Sequence, residues 1–241
     1  MTIMPENAAE KLLFALDVDA LAKATPFIEA LSPYVGCFKI GLELMNAVGT
    51  PQAVQHVLRH GGQVFADCKL NDIPNTVRGA SRVISAMGVK YFNVHASSGI
   101  EAIKAAAEEK GSAKLLVVTV LTSLDDTASQ GIFGKTARDK VLDFANEAIE
   151  GGADGLICSS QELELLGPIP EFKNLLKVTP GIRPTWAQSD DQKRTMTPKE
   201  AIQAGATHLV IGRPISNPPR GIGSPIDAAK AILEEISSCQ L

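Results

Sequence analysis

Short apolar runs recur along this chain with longer, mixed stretches between them, at residues 12–16, 37–41, 63–67, 91–95, 115–121, 155–159, 176–179 and 208–212. Most are apolar almost without interruption, as expected of parallel strands buried on both faces. Intervening stretches such as 100–110 and 136–150 space their apolar residues as amphipathic helices do. Several close on glycine just before the next run (Gly61-Gly62, Gly88, Gly111, Gly151-Gly152, Gly205), the expected helix stop. Eight strand–helix units in 241 residues predict the α/β class and a single TIM (β/α)8 barrel, with residues 1–241 as one domain. The competing open, doubly wound sheet would carry G-x-G-x-x-G after its first strand, and no such motif follows residue 16.

A barrel of this kind keeps its working groups at the C-terminal ends of the strands and in the loops that follow. Polar residues fall there strand after strand: Asp17, Lys39, then Asp67, Lys69 and Asp72, then His95, Thr122-Ser123, Ser159-Ser160, Arg183 in Pro180-Gly181-Ile182-Arg183, and Gly212-Arg213-Pro214. The third group is the most telling. Strand alternation puts Asp67 and Lys69 on one face and Cys68 on the other. Asp72 follows in a tight turn, just before Pro74, which can open a helix at its first position. Two carboxylates then crowd one ammonium. A surface salt bridge would give the same letters, but such a pair contributes only about 0–1 kcal/mol, and the strand is expected inside a barrel.

Composition narrows the partners. Net charge is −4, so nothing marks nucleic acid or an anionic membrane as a partner, and an anionic substrate would need a local site. Gly212-Arg213 offers one: close backbone N–H donors plus a guanidinium suit a phosphate dianion. Arg183 precedes a long polar stretch, 184–194, and Gln192 lies within it. Cys37, Cys68, Cys158 and Cys239 form no C-x-x-C pair, and the first three lie in or beside apolar runs, which points to a reducing, cytoplasmic setting. The N-terminus carries Glu6 and Glu10 and no apolar signal core, and no segment holds about 18 uninterrupted apolar residues.

Asp67-x-Lys69-x-x-Asp72-Ile73-Pro74-Asn75-Thr76, Phe38-Lys39-Ile40-Gly41, Val120-Leu121-Thr122-Ser123, Thr179-Pro180-Gly181-Ile182-Arg183-Pro184 and Val210-Ile211-Gly212-Arg213-Pro214-Ile215 together resemble the orotidine 5′-phosphate decarboxylase family, in its bacterial single-function form, from residue 12 to about 231. The resemblance implies cofactor-independent conversion of orotidine monophosphate to uridine monophosphate, the last step of de novo pyrimidine nucleotide synthesis. It implies that Lys69 stabilises and protonates the carbanion at carbon six, with Asp67 near the substrate carboxylate and Asp72 aiming Lys69. Lys39 extends the array and, with Asp17, meets the ribose hydroxyls. Thr122 reads the base edge, and Arg183, Gln192, Gly212 and Arg213 hold the phosphate beneath a closing loop. The resemblance also implies that Asp72 and Thr76 come from a neighbouring subunit, so the expected partner is a second copy, a homodimer with shared sites.

The nearest rival is a magnesium-dependent sugar-phosphate decarboxylase or aldolase of the same superfamily, which shares D-x-K-x-x-D but needs a Glu metal ligand where Lys39 stands. A non-catalytic nucleotide-binding barrel would be expected to lose some of Lys39, Asp67, Lys69 and Asp72, since buried charges are costly to keep without use. The length leaves no residues for a second, phosphoribosyltransferring domain. His56 and His60 have metal-ligand spacing, but they precede a helix C-terminus, where His is favoured anyway, so no metal is expected. His95 suits barrel packing as well as ligand contact. Trp186 and the pair Lys193-Arg194 lie on the polar loop, and residues 217–221 read as a rigid loop before the last helix.

Overall fold

The computed structural model describes residues 6–187 and 195–239. The strands are β1 (Leu12–Ala15), β2 (Cys37–Ile40), β3 (Val64–Leu70), β4 (Tyr91–His95), β5 (Lys114–Val118), β6 (Gly155–Ile157), β7 (Leu176–Thr179) and β8 (His208–Ile211). They close in sequence order into a parallel barrel, β8 pairing back onto β1 through Leu12↔Leu209 and Phe14↔Ile211. The helices are α1 (Glu6–Lys11), α2 (Leu21–Leu31), α3 (Leu42–Val48), α4 (Thr50–Arg59), α5 (Pro74–Ala86), α6 (Ile100–Glu108), α7 (Asp126–Phe133), α8 (Ala137–Glu150), α9 (Ser160–Leu166), α10 (Pro198–Gln203), α11 (Arg213–Ser216) and α12 (Pro225–Ser237).

Every strand is buried on both faces, and so the core has two parts. Outward residues such as Phe14, Phe38, Phe92, Val94, Val117 and Ile211 pack under the helices. Inward residues Leu13, Ala15, Cys37, Phe65, Tyr91, Leu116, Val178 and Val210 fill the barrel itself. This double burial is why the runs read as unbroken apolar stretches. Local chemistry fixes the helix ends. Thr136 caps α8, capping boxes join Ser159 to Glu162, Thr197 to Glu200 and Ser224 to Asp227, and Pro74 stands at the start of α5.

Two strand ends differ from the sequence reading by three residues. The run 115–121 is strand only to Val118; Val120 is apolar because it packs against the outer core. β3, expected to end at 67, continues to Leu70 through an irregularity that the site explains. Trp186, on the polar loop, packs against the outer core.

Candidate active site

The inward-facing positions that fill the barrel lower down carry charge at its C-terminal mouth. Above Leu13 and Ala15 the same alternation brings Asp17; above Cys37 it brings Lys39, above Phe65 it brings Asp67, and above Tyr91 it brings Asn93 and His95. Register aligns Ala15 with Lys39, and Phe65 with Tyr91, so these polar groups converge on one rim.

They form one chain of charges. Lys39 Nζ lies 3.1 Å from Asp17 Oδ1 and 3.4 Å from Asp67 Oδ2. Lys69 Nζ lies 2.6 Å from Asp67 Oδ1. The order around the rim is Asp17, Lys39, Asp67, Lys69, alternating in sign. Asp67 is the buried centre of the array at 7% exposure. Burial pushes its pKa up, but the ammoniums of Lys39 and Lys69 and hydrogen bonds from Lys69 and Asn93 outweigh burial and hold it below the ordinary value. Asp67 therefore stays ionised through neutral pH. Within one chain, then, two ammoniums, those of Lys39 and Lys69, flank the single carboxylate of Asp67. Asp72 is exposed and its Oδ1 accepts a hydrogen bond from the Ile73 N–H at 2.7 Å.

Lys69 reaches Asp67 by an unusual route. The β3–β4 ladder runs in register at Ala66↔Phe92 and resumes at Leu70↔Val94, so β3 holds two extra residues between these points. Lys69 absorbs the irregularity with φ 51°, the only positive φ of a non-glycine among the described residues. That left-handed conformation costs an L-residue about 1–2 kcal/mol, and it turns Lys69 toward the rim. Cys68, on the opposite face as expected, packs against the outer core. Burial, with help from Asp67, raises its thiol pKa to about 12, which leaves it unreactive at neutral pH.

The other expected site residues take these positions. Thr76 is exposed in the first turn of α5, near Asp72, and the segment 71–76 is exposed throughout. Thr122 lies in an exposed turn after β5. Arg183 follows β7; it is buried, its Nη1 donates to the Ile182 carbonyl at 3.0 Å, and its N–H donates to the Met196 carbonyl at 2.9 Å, which draws together the two ends of the polar loop. Gln192 lies outside the described residues. Gly212 and Arg213 follow β8, with Arg213 exposed and opening α11. A Cβ at Gly212 would stand 3.2 Å from Ala15 Cβ and 3.7 Å from Asp17 Oδ2, so glycine lets the end of β8 close against β1. A cavity of about 60 Å³ lies there, lined by Ala15, Asp17, Arg213 and Ser216 among others.

Two residues of the site were not singled out from sequence. Asn93, fully buried, donates from Nδ2 to Asp67 Oδ1 at 2.7 Å and accepts the Lys69 N–H on Oδ1 at 2.7 Å. The available signal was a lone amide in an otherwise apolar stretch of β4. Gly41 is the other: a Cβ there would stand 3.0 Å from Lys39 Nζ, so a larger residue would press on that ammonium. His95 is half-buried beside the array; burial and the Lys69 charge lower its pKa, with Asp67 opposing. The rings of His56 and His60, at the C-terminal end of α4, lie 4.3 Å apart and tilted by 42°, with His56 Nε2 2.9 Å from Thr25 Oγ1. Among the described residues no cluster of three or more His, Cys, Asp or Glu side chains is arranged to hold a metal ion.

A closed (β/α)8 barrel with an alternating acid–base array at its mouth defines a class of protein whose site chemistry is carried by charged side chains. The comparisons take the class further. The chain belongs to the Orotidine 5′-phosphate decarboxylase / HUMPS family, whose model matches residues 10–230. It is 43% identical to an orotidine 5′-phosphate decarboxylase of Moorella thermoacetica, over 95% of this chain and 93% of that one. It is 42% identical to that of Geotalea uraniireducens, over 98% of each. Among solved structures, the orotidine 5′-phosphate decarboxylase of Lactobacillus acidophilus superimposes with a TM-score of 0.79 at 31% identity, covering 93% of this chain and 98% of that one. The same enzyme from Pyrococcus horikoshii OT3 gives 0.73 at 26% identity, over 94% and 99%.

Proposed function

We propose that this chain is a carbon–carbon lyase, converting orotidine 5′-monophosphate to uridine 5′-monophosphate in the last step of pyrimidine nucleotide synthesis, with no cofactor. The observation that carries the reading is the rim array Asp17–Lys39–Asp67–Lys69, in a chain of this family. The bond from carbon six to the carboxylate breaks, carbon dioxide leaves, and the electron pair stays on carbon six. Lys69 Nζ, held by Asp67 at 2.6 Å, presents fixed positive charge to that pair and then gives it a proton. Preorganised charge of this kind is commonly the largest catalytic contribution. Asp67, kept ionised by its two ammoniums, stands near the substrate carboxylate and fixes Lys69. Lys39 and Asp17 take the ribose hydroxyls, and Thr122 reads the base.

The phosphate goes to Arg183, Gly212, Arg213 and Gln192. Binding energy there can be used at the distant carbon once the loop closes. Asp72 and Thr76 serve the site of a second copy, which fits their exposure and the absence of an ion pair to Asp72 among the described residues. We place the enzyme in the cytoplasm, as a single domain of residues 1–241, on its four free cysteines and on the match of one barrel family along the chain.

The rival magnesium-dependent chemistry of the superfamily finds no support at the rim. Lys39 stands between the carboxylates of Asp17 and Asp67 and would repel a divalent cation. Purified protein, treated with a chelator, should convert orotidine monophosphate to uridine monophosphate, followed as loss of substrate absorbance. Activity lost on chelation and restored by magnesium would overturn the reading in favour of the rival.

A further inference from the structure

Asn93 is a fully buried amide on the inward face of β4, and both of its polar atoms are spent on β3. Its Nδ2 donates to Asp67 Oδ1, and its Oδ1 accepts the backbone N–H of Lys69, each at 2.7 Å. The same Asp67 oxygen accepts from Lys69 Nζ at 2.6 Å. The result is a small closed ring: carboxylate, ammonium, the Lys69 main chain, and the amide that ties the main chain back to the carboxylate. It sits where the β3–β4 ladder is interrupted between Ala66 and Leu70. The interruption takes the Lys69 N–H out of the ladder, and the Asn93 side chain supplies the acceptor a neighbouring strand would otherwise give.

Lysine has no means of its own to favour φ 51°, unlike glycine or asparagine. Something outside it must hold that conformation, and Asn93 is placed to do so. Only one orientation of the amide serves both partners, with nitrogen toward the carboxylate and oxygen toward the N–H. Leucine would fill the space and leave an N–H and a carboxylate oxygen each short of a partner. An ionised aspartate would accept from Lys69 but could donate nothing to Asp67, and would set a second negative charge beside it.

We infer that Asn93 is a positioning residue for the reaction, locking the left-handed turn at Lys69 and the Asp67 carboxylate into one geometry so that the ammonium is held at the rim. The inference rests on the role proposed for Lys69. It makes Asn93 responsible for turnover rather than for substrate affinity, since its side chain is buried beneath the array and meets the array alone.

The test compares Asn93→Leu and Asn93→Asp with wild type, measuring kcat, KM and unfolding midpoint. Misplacing a reacting group by about 1 Å can cost on the order of a hundredfold, so Asn93→Leu should lose kcat by about tenfold or more with KM within about threefold. Asn93→Asp keeps the shape and adds a pH readout that a merely structural role would not move. The groups facing the new carboxyl are Asp67 and Lys69 from β3, Lys39 from β2 through Asp67, and His95 along β4; on β5 the register partner is the apolar Leu116. The carboxyl must be protonated to donate to Asp67, and the charge of Asp67 raises its pKa. The ratio of Asn93→Asp to wild-type kcat should therefore climb as pH falls from about 8 to about 5.5.

Should Asn93→Leu fail to fold, the isosteric Asn93→Asp carries the test alone. Folded variants with kcat within about twofold of wild type, or an Asn93→Asp ratio flat with pH, would overturn the inference. Lys69→Ala, run alongside, separates two failures. If it is inactive while the Asn93 variants are normal, the positioning role alone falls; if it is active, the reading of Lys69 falls and takes the positioning role with it.

Discussion

At the N-terminal end of the barrel interior, Tyr91 Oη meets His208 Nε2 at 3.2 Å, and Thr207 Oγ1 holds His208 Nδ1 at 2.9 Å. At the C-terminal end, two strand steps above Tyr91, stands the array of Asp17, Lys39, Asp67 and Lys69. Both ends are built from the same alternating inward positions, and both bury polar groups. They treat charge in opposite ways. Burial, aided by Lys90 and Lys11 against Glu10, drives the His208 pKa down to about 4, so the lower pair is neutral at physiological pH and fully hydrogen-bonded. At the mouth, paired ammoniums drive Asp67 further into its ionised form. Desolvation wins where no opposite charge is adjacent and loses where two are. The lower end thus serves stability, and the mouth holds charge ready for chemistry, the division expected of this barrel.

Several substitutions should break that comparison if it is wrong. Leu116→Ala, in the apolar filling beneath the array, should cost about 2–5 kcal/mol of stability while kcat of the folded protein stays near wild type. Thermal unfolding and turnover on one preparation check it, and a large loss of kcat without a loss of stability would merge the two ends. His208 should make stability sensitive to acid. Its folded pKa lies below the unfolded value of about 6.5, so the unfolded chain binds the extra proton; stability is full above about pH 6.5 and falls by up to about 1.4 kcal/mol per unit down to about pH 4. His208→Gln should flatten that slope in denaturant titrations, and an unchanged slope would assign it elsewhere. Asp67, with a lowered pKa, contributes its own loss only at still lower pH.

At the mouth, Arg213→Ala should weaken uridine monophosphate by about 10- to 100-fold and uridine hardly at all, since a bond to a charged group is lost only where phosphate is present. Equal losses in calorimetry would remove Arg213 from the phosphate site. The smallest effect concerns the second copy. Lys69→Ala and Asp72→Ala proteins, each impaired alone, should regain at most about half of wild-type turnover when refolded together, since one of two symmetric sites is then intact. Proven hybrids with no recovery would mean that Asp72 serves its own chain.

Burial on both faces made the eight strands legible, because it leaves apolar runs that little else produces. The same feature misplaced the end of β5, where Val120 is buried without being strand. Asp17, Lys39, Asp67 and Lys69 were readable because charge at the end of a buried strand is rare. The turn at Lys69 was not, since nothing in a lysine marks a left-handed backbone; its cause lies 24 residues away, in the Asn93 amide. Asn93 carries no charge and belongs to no run of polar residues, so only contact with β3 reveals it. Asp72 was legible as a letter but not in its surroundings, because one chain leaves it exposed.

The central claim, that a lysine aimed by a buried carboxylate at the barrel mouth decarboxylates the nucleotide, is tested most directly by turnover of orotidine monophosphate in purified Lys69→Ala, with the unfolding midpoint measured on the same sample. Asp67 keeps Lys39 and Asn93 as partners in that variant, so the fold should persist with a midpoint within a few degrees of wild type. Turnover should fall by at least about a thousandfold, equivalent to about 4 kcal/mol of barrier. A folded Lys69→Ala that decarboxylates within about tenfold of wild type, about 1.4 kcal/mol, would contradict the account.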